Sequence, residues 1–324
     1  MISPPCYQFT VERYLQGVRV DSFLIRHLRN YTSWRMQRMI HHGAVLIDNR
    51  EALLTERVIT GQQVTIQLIE PPDKLIAPED VPLSVVYEDA WLLAVNKPAP
   101  MTVHPVGTIQ SETLCNAVQH HLDQQTAVKG ILRPGIVHRL DRMTSGLILL
   151  SKEHLSHRTL SLQFQHGEVD KEYVAILEGQ LAQDSGVIDL PIGTHPGFES
   201  ILMTAGDDAR DAKVATTEFQ VLDLQKDRCL VRAKPITGRL HQLRVHFAAL
   251  GCPVIGDEFY GPFGELKGPR GKGEGPAPIP FMQPGRHALH CSRMSFTHPM
   301  TECPMTLHAP LPLDMQLTWK PFRD

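Results

Sequence analysis

The sequence lacks paired cysteines and long apolar runs. Six cysteines are spread over 324 residues, and no two of them are two residues apart in a metal-binding pair. In a chain without an export signal, this spacing indicates reduced thiols rather than zinc ligands or disulfides. No stretch approaches the roughly 18 apolar residues of a membrane-spanning helix, and the N-terminus has no secretory-signal pattern. We therefore expect a cytoplasmic protein without metal or membrane contact.

The sequence also lacks a basic excess, since its formal net charge is −3. Residues 1–75 hold nine Lys and Arg against seven Asp and Glu, whereas residues 76–324 hold 23 against 28. The two parts therefore carry balances of +2 and −5. A mildly acidic body can still bind RNA if its positive charge is concentrated in one groove, so the net charge excludes no function by itself.

The first part of the chain has the pattern of a small α+β domain, residues 1–75. Ser33 can cap the second of two short helices, and Gly43 can end it. Residues 44–47 and 64–68 have the patterns of strands, with a turn at Asp48-Asn49 after the first. An extended linker follows, marked by Pro71, Pro72, Pro78 and Pro82.

This N-terminal pattern resembles the RNA-binding domain named after ribosomal protein S-four, also called the alpha-L motif. The resemblance lies in residues 19–24, 33–40, 43–45 and 61–64. It implies that the helix pair presents basic side chains to RNA phosphates, and the candidates are Arg26, Arg29, Arg35 and Arg38. The alternative is a small adaptor with an ordinary solvated arginine face.

Residues 76–324 alternate between strand and helix patterns. The predicted strands are 85–87, 92–95, 146–150, 171–178, 214–224 and 228–234, and the predicted helices are 154–166 and 240–250. Leu243, Phe247 and Leu250 would form the apolar stripe of the last helix. Many strands with few helices predict an α+β body with a mixed, largely antiparallel sheet. Residues 261–285 contain seven glycines and six prolines, which predicts a mobile insertion without regular structure.

The segment most informative about chemistry is His-Arg-Leu-Asp-Arg-Met-Thr-Ser-Gly-Leu, residues 138–147, just before an apolar strand. Asp141 lies between Arg139 and Arg142, which favour its charged form. A carboxylate in a polar loop at the end of a rigid strand is a candidate nucleophile. The spacing alone favours the alternative, an aspartate that caps the turn and pairs with one of these arginines.

This segment is similar to the catalytic signature of the RluA-type pseudouridine synthases. Other short segments of this sequence also resemble conserved segments of that family and occur in the family's order, before and after residues 138–147. They are residues 95–98, 104–105, 171–179, 237–246, 256–261, 289–290 and 298–299. The resemblance covers about residues 80–310. It implies that Asp141 is the catalytic aspartate and that Arg139 takes the place of an extruded uridine. It also implies that Tyr173 stacks on the target base and that Arg244, or alternatively Arg239, pairs with the aspartate.

The implied reaction breaks the bond from uracil nitrogen to ribose, turns the base and reattaches it through carbon, so it requires no cofactor. In it, Asp141 either attacks the ribose carbon or assists proton loss from the sugar. The base must leave the stack, and an arginine plane or an aromatic ring can stack in its place. On the predicted helix 240–250, His241 and Arg244 share a face that can reach the cleft, although His241 could equally be a packed polar side chain. Lys97 either contacts RNA or caps a strand end.

The resemblance predicts a monomeric enzyme acting on large-subunit ribosomal RNA, with transfer RNA as the second choice. Two alternatives are a catalytically silent RNA-binding or ribosome-assembly factor and a nucleosidase. The set of Asp141, Tyr173 and Arg244 disfavours the silent factor, because a carboxylate in an RNA groove would repel phosphate.

Overall fold

The computed structural model describes residues 6–28, 31–68, 76–126, 132–196, 202–206, 209–267 and 279–320. None of the helices within these ranges is long and apolar enough to cross a membrane.

Residues 6–68 combine two helices with a four-stranded antiparallel sheet in the order β1-β4-β2-β3. The elements are α1 (Val20–His27), α2 (Ser33–His41), β1 (Cys6–Thr10), β2 (Val45–Ile47), β3 (Arg50–Glu51) and β4 (Gln63–Gln67). Apolar side chains of both helices and the sheet form one core, in which Phe23 and Met36 are fully buried. Helix α2 is capped by Thr32, whose hydroxyl accepts the Arg35 N–H, and not by Ser33 as predicted.

The larger part of the chain is built on a mixed sheet. Its path runs β10-β14-β15-β9-β16-β8-β6-β5, with β17 added on β16 and β7 on β8. The strands are β5 (Val85–Glu88), β6 (Leu92–Lys97), β7 (Gly135–Ile136), β8 (Ser145–Ser151), β9 (Asp170–Glu178), β10 (Ser185–Asp189), β14 (Thr216–Leu224), β15 (Arg228–Pro235), β16 (Leu289–Thr297) and β17 (Pro304–His308). A smaller sheet holds β11 (Ile192–Thr194), β12 (Met203–Ala205) and β13 (Arg210–Lys213). Among the described strands, only β8 and β16 pair in parallel, so the predicted α+β class and largely antiparallel sheet are confirmed.

Four helices in the described residues pack on this sheet: α3 (Leu114–Gln124), α4 (His154–His166), α5 (Gln242–Ala249) and α6 (Leu313–Trp319). Helix α4 has the predicted bounds. Helix α5 is shorter than the predicted 240–250, and Leu250 lies beyond it with 40% of its surface exposed. Leu243 and Phe247 are buried against the sheet as predicted, and Gly251 follows with a positive φ of 80°.

The predicted insertion at residues 261–285 is partly ordered. Pro262–Gly264 form a short 3-10 helix, and Tyr260 bridges to Leu266, so the prediction of no regular structure is wrong there. Met282 is buried in the core beneath the sheet. Residues 268–278 lie outside the described part of the chain, and the prediction of mobility stays untested for them.

The parallel pairing of β8 with β16 depends on a glycine. Gly146 lies opposite Cys291 and has a φ of +114°. A Cβ atom at this position would lie 2.3 Å from the backbone oxygen of Cys291, so only glycine allows the two strands to approach this closely. The approach places the loop that precedes β8 beside β16.

We predict that Gly146→Ala destabilises the protein more than Gly167→Ala does. Both glycines have positive φ, but a Cβ at Gly167 meets nothing within 4 Å. Gly167→Ala should therefore cost only the strain of the backbone conformation, about 1–2 kcal/mol, whereas Gly146→Ala adds about 1–3 kcal/mol for the displaced strand. Urea unfolding of both variants measures the difference, and equal losses would contradict this account of the strand pairing.

Candidate active site

A cavity of about 890 Å³ opens beside the start of β8. Its walls come from the loop that carries Asp141, the end of α4, the first half of β9 and the segment that leads into α5. Six residues predicted for the site line it: Arg139, Asp141, Tyr173, Arg239, His241 and Arg244. Of the four arginines predicted for the N-terminal helix pair, Arg26, Arg35 and Arg38 belong to α1 and α2 and do not line this cavity. The fourth, Arg29, lies outside the described residues.

Asp141 is held in a turn by its own backbone, because its carbonyl accepts the Thr144 N–H at 3.0 Å. Its Oδ2 atom accepts a hydrogen bond from Nη1 of Arg244 at 3.1 Å. The side chain keeps 22% of its surface exposed, towards the cavity. Arg139 and Arg142, the sequence neighbours proposed as structural partners, are instead exposed. The contact of this carboxylate is therefore with a residue from α5, 103 positions later.

Arg244 is shared between two carboxylates. Its Nε and Nη2 atoms donate to the two oxygens of Asp257 at 2.6 and 2.8 Å, a bidentate pairing that matches the guanidinium fork. Arg244 is 3% exposed and Asp257 is fully buried. Asp257 also accepts the N–H groups of Phe259 and Tyr260 at 2.9 and 3.2 Å, and both rings lie against the guanidinium. Arg244, the partner of Asp141, is thus held by two hydrogen bonds to Asp257 and by contacts with two aromatic rings.

Sequence analysis did not assign a role to Asp257. The signal that could have found it is its position in the family block at residues 256–261, where an aspartate follows a glycine. Gly256 has a φ of +78°, and a Cβ there would lie 2.1 Å from the backbone oxygen of Arg286. The glycine therefore lets the chain turn so that the next side chain points at Arg244.

The charges of the site follow from this arrangement. Burial opposes ionisation of Asp141, but Coulombic attraction from His241, Arg244 and His287 outweighs it, so the pKa of Asp141 lies below its ordinary value. Burial also opposes ionisation of Asp257, but the hydrogen bonds and charge of Arg244 lower its pKa to about 2. Burial lowers the pKa of His241 to about 4 and of His287 to about 3, so both imidazoles are neutral at neutral pH. Of these three neighbours of Asp141, Arg244 is the one that is positively charged at this pH.

Tyr173 lies in β9, opposite Cys291 of β16 and Ala233 of β15. It lines the cavity with Asp141. Burial, followed by the charges of Cys291 and Asp141, raises the pKa of the Tyr173 hydroxyl well above its ordinary value. The phenol is therefore neutral at physiological pH and presents a ring that can stack and a hydroxyl that can donate.

His241 does not belong to α5, which begins at Gln242. Its backbone is left-handed, with a φ of 55°, so the predicted helical face shared by His241 and Arg244 is wrong. Both side chains nevertheless meet Asp141, since Nε2 of His241 lies 3.9 Å from the same Oδ2 atom that accepts from Arg244. The strained residue at the start of the helix turns the imidazole into the cavity wall.

The contacts of Arg239 and Lys97 distinguish between the alternatives that the sequence left open for these two residues. Arg239 donates from Nε to the Val214 carbonyl at 2.9 Å, so Arg244 and not Arg239 contacts Asp141. Lys97 is fully buried and donates from Nζ to the carbonyls of Pro98 and Met101, each at 2.9 Å. Lys97 therefore caps the end of β6, and burial, with the nearby charge of Arg286, lowers its pKa to about 7.

His246, a further histidine of α5, packs as a structural side chain. It is buried, with Nδ1 at 2.9 Å from the Thr217 hydroxyl and Nε2 at 3.0 Å from the Leu190 carbonyl. No three His, Cys, Asp or Glu side chains in the described ranges stand close enough to hold a metal ion.

The loop that carries Asp141 is anchored immediately after it. The buried guanidinium of Arg286 donates to the Met143 carbonyl at 2.6 Å and to the Ser145 hydroxyl at 2.8 Å. Between these contacts, the Thr144 hydroxyl is hydrogen-bonded to Nε2 of His287 at 2.8 Å. Each residue from 143 to 145 is thus fixed to the segment that leads into β16, which limits the positions that the carboxylate can take.

We predict that Asp257→Asn lowers the free energy of unfolding by about 3–5 kcal/mol at neutral pH, because it leaves Arg244 buried with a weaker partner. The folded-state pKa of Asp257, about 2, is below the ordinary value of 3.8, so its contribution is present above pH 4 and is lost as the pH falls towards 2. The difference between wild type and variant should therefore shrink over this window. Urea unfolding at several pH values measures it, with the exposed Asp184→Asn as control, and a difference independent of pH would refute the assignment.

The comparisons with known proteins agree on one family. Residues 91–249 match the family model described as RNA pseudouridylate synthase. An uncharacterised RNA pseudouridine synthase of Bacillus subtilis is 34% identical over 307 residues, which cover 94% of each chain. Ribosomal large subunit pseudouridine synthase D of Xanthomonas campestris is 32% identical over 308 residues, 95% of this chain and 90% of that protein.

A solved structure of human RNA pseudouridylate synthase domain containing 4 is 26% identical and has a TM-score of 0.58, covering 72% of this chain and 91% of that chain. The predicted resemblance to the pseudouridine synthases and the pseudouridine synthase type of the fold are confirmed. The resemblance of the N-terminal residues to the S-four RNA-binding domain stays a prediction. This chain belongs to the RNA pseudouridine synthase family of isomerases.

Proposed function

We propose that the protein isomerises uridines of large-subunit ribosomal RNA to pseudouridine and that Asp141 is its nucleophile. The observation that carries the proposal is the ionised Asp141 carboxylate, held by one hydrogen bond from Arg244 at the wall of an open cavity. The relatives named ribosomal large subunit pseudouridine synthase D support the choice of RNA. If large-subunit ribosomal RNA is the substrate, the protein acts in the same cellular compartment as that RNA.

The cavity has the parts that an extruded nucleotide requires. Arg139 is exposed at its edge, where a guanidinium plane can stack in the gap that the base leaves behind. Tyr173 supplies a neutral ring for the base inside the cavity. Arg239 also lines the cavity, where it can neutralise an RNA phosphate. Together these side chains offset the cost of unstacking, which amounts to a few kcal/mol.

The proposed chemistry begins when an Asp141 oxygen bonds to ribose C1′ and the bond from C1′ to uracil N1 breaks. The uracil turns, C5 bonds to C1′, and the carboxylate is released as the C5 proton is lost to water. Overall, uracil loses the C5 proton and N1 gains one. Asp141 needs to be ionised and to present an oxygen to the cavity for this role. Its lowered pKa and its exposure towards the cavity meet both requirements.

A protein that only bound RNA would gain nothing from this carboxylate. The charge of Asp141 would repel the phosphates of a bound strand. The arrangement therefore favours catalysis over the silent RNA-binding alternative.

For residues 1–75 we propose an RNA-contacting role through Arg26, Arg35 and Arg38. In α2, the guanidinium of Arg38 lies 4.7 Å from the ring centre of the exposed Trp34, and that of Arg35 lies at the same distance from Tyr31. Stacking on a ring holds an arginine side chain while its N–H groups can still reach phosphate oxygens. Arg26 is in the last turn of α1.

We predict that Asp141→Asn lowers the rate of pseudouridine formation by at least about 10³-fold, because the amide cannot act as nucleophile. RNA affinity should be retained, since the change removes negative charge from an RNA-binding cavity. The measurement is the release of tritium from a large-subunit ribosomal RNA transcript labelled at uridine C5. Asp227→Asn, in an exposed pair with Arg228, is the control, and an active Asp141→Asn would remove this residue from the mechanism.

We predict that Arg26→Gln/Arg38→Gln weakens binding of the same transcript and lowers the slope of log affinity against log salt by about 1–2 units, one unit or less for each lost phosphate contact. The matched control is Arg50→Gln, because Arg50 lies in β3 of the same N-terminal part of the chain, outside the helix pair, where it is paired with Glu56. Filter binding at several salt concentrations provides the slopes. Identical slopes for the double variant and wild type would exclude phosphate contacts at these positions.

A further inference from the structure

The hydroxyl of Tyr260 determines which nitrogen of His241 carries a proton. Tyr260 is buried, and its oxygen accepts the Met203 N–H at 3.1 Å and lies 2.7 Å from Nδ1 of His241. Among the residues that the structure describes, Nδ1 is the acceptor within reach of the Tyr260 proton. Because buried hydroxyl protons are almost always donated, Nδ1 of His241 accepts this proton and the ring hydrogen is on Nε2.

The opposite side of the ring leads to the same tautomer. Nε2 of His241 lies 3.9 Å from Oδ2 of Asp141, which is ionised at neutral pH. A lone pair on Nε2 would face the negative carboxylate, whereas an N–H is attracted to it. Two independent contacts therefore place an N–H of a neutral imidazole next to the proposed nucleophile.

The backbone fixes the direction of this N–H. His241 has a left-handed φ of 55°, a conformation that a non-glycine residue keeps only when its surroundings require it. The hydrogen bond from Val245 N to the His241 carbonyl, at 3.0 Å, ties the residue to the first turn of α5. The ring of Phe259 lies parallel to the imidazole, with an interplanar angle of 18°. The imidazole is thus preorganised at the cavity wall.

The proposed reaction places negative charge where this N–H can meet it. When the bond from C1′ to N1 breaks, the electron pair remains on uracil and is spread over N1, O2 and O4. A turn of the ring about its N3–C6 axis exchanges N1 with C5 and O2 with O4. The carbonyl oxygen beside the sugar is therefore O2 in uridine and O4 in pseudouridine, and both occupy the same place relative to a fixed donor.

We propose that His241 is a catalytic residue whose Nε2–H donates a hydrogen bond to the uracil oxygen beside the sugar, O2 before the ring turns and O4 afterwards. The donor stabilises the uracil anion in both orientations without giving up its proton. This inference rests on the proposed function, because it requires that uracil is detached from ribose beside Asp141.

The kinetic test compares wild type with His241→Ala, His241→Gln and Tyr260→Phe, using tritium release from the C5-labelled large-subunit ribosomal RNA transcript in single turnovers at saturating protein. His241→Ala should lower the rate about 100-fold, as expected for one lost donor to a developing anion, with the dissociation constant for RNA unchanged. His241→Gln should restore part of the rate, because its amide N–H can replace Nε2–H. Tyr260→Phe keeps the ring against Arg244 and should lose less rate than His241→Ala.

The tautomer is measured separately from activity. Nitrogen chemical shifts of histidine labelled with ¹⁵N, assigned by comparison with His241→Gln, should show Nε2–H in wild type and a shift towards Nδ1–H in Tyr260→Phe. Nδ1–H in wild type would overturn the inference. So would a His241→Ala variant with the wild-type rate at saturation and weaker RNA binding, which is the result for a phosphate contact. If wild type releases no tritium, the proposed function itself fails. If wild type releases tritium and the His241 variants release it at the same rate, this inference fails while the proposed function stands.

Discussion

The buried ion pair between Arg244 and Asp257 is the interaction on which the site depends. Asp257 takes two donors of the guanidinium fork and two backbone N–H groups, so it is fully satisfied without solvent. Two of the five N–H groups of Arg244 are thereby directed at Asp257, and Nη1 donates one of the remaining three to Asp141. The shared arrangement keeps Asp141 charged, and within the described part of the chain Arg244 is its one side-chain hydrogen-bond partner.

The scaffold supports this balance through parts of the chain that are far apart in sequence. The close pairing of β8 with β16 at Gly146 brings the segment of Arg286 and His287 beside the loop of Asp141. Arg286 is itself oriented by Asp314 of α6, at 3.0 Å. Helix α6 therefore contributes to the position of the carboxylate, which explains why a side chain on a loop can have a defined geometry.

The sequence was most informative where function requires a contiguous segment. The residues around Asp141 and the bounds of α4 were predicted from local pattern, and Tyr173 and Arg244 from their family blocks. What the sequence could not provide were contacts set by long-range packing. The start of α5 was missed because His241 adopts a left-handed backbone conformation, which a histidine in the sequence does not predict. Asp257 was missed as the partner of Arg244 because the two residues are 13 positions apart, and their pairing depends on burial that the sequence does not show.

The same limit applies to the direction of side chains. The periodic pattern of residues 240–250 predicted one apolar stripe, but Leu250 lies outside the helix and is exposed. The predicted face with His241 was wrong for the same reason, although the residue does reach the cavity by a different backbone path. Periodicity reports which residues of a helix can be buried, but it does not report where the helix begins.

A structure of the protein with an unmodified fragment of its RNA tests the central claim most directly. The account predicts one uridine turned out of the RNA stack, with its ribose C1′ beside Oδ2 of Asp141 and its base against the ring of Tyr173. RNA bound across another surface, with the cavity empty and Asp141 far from any sugar, would contradict it.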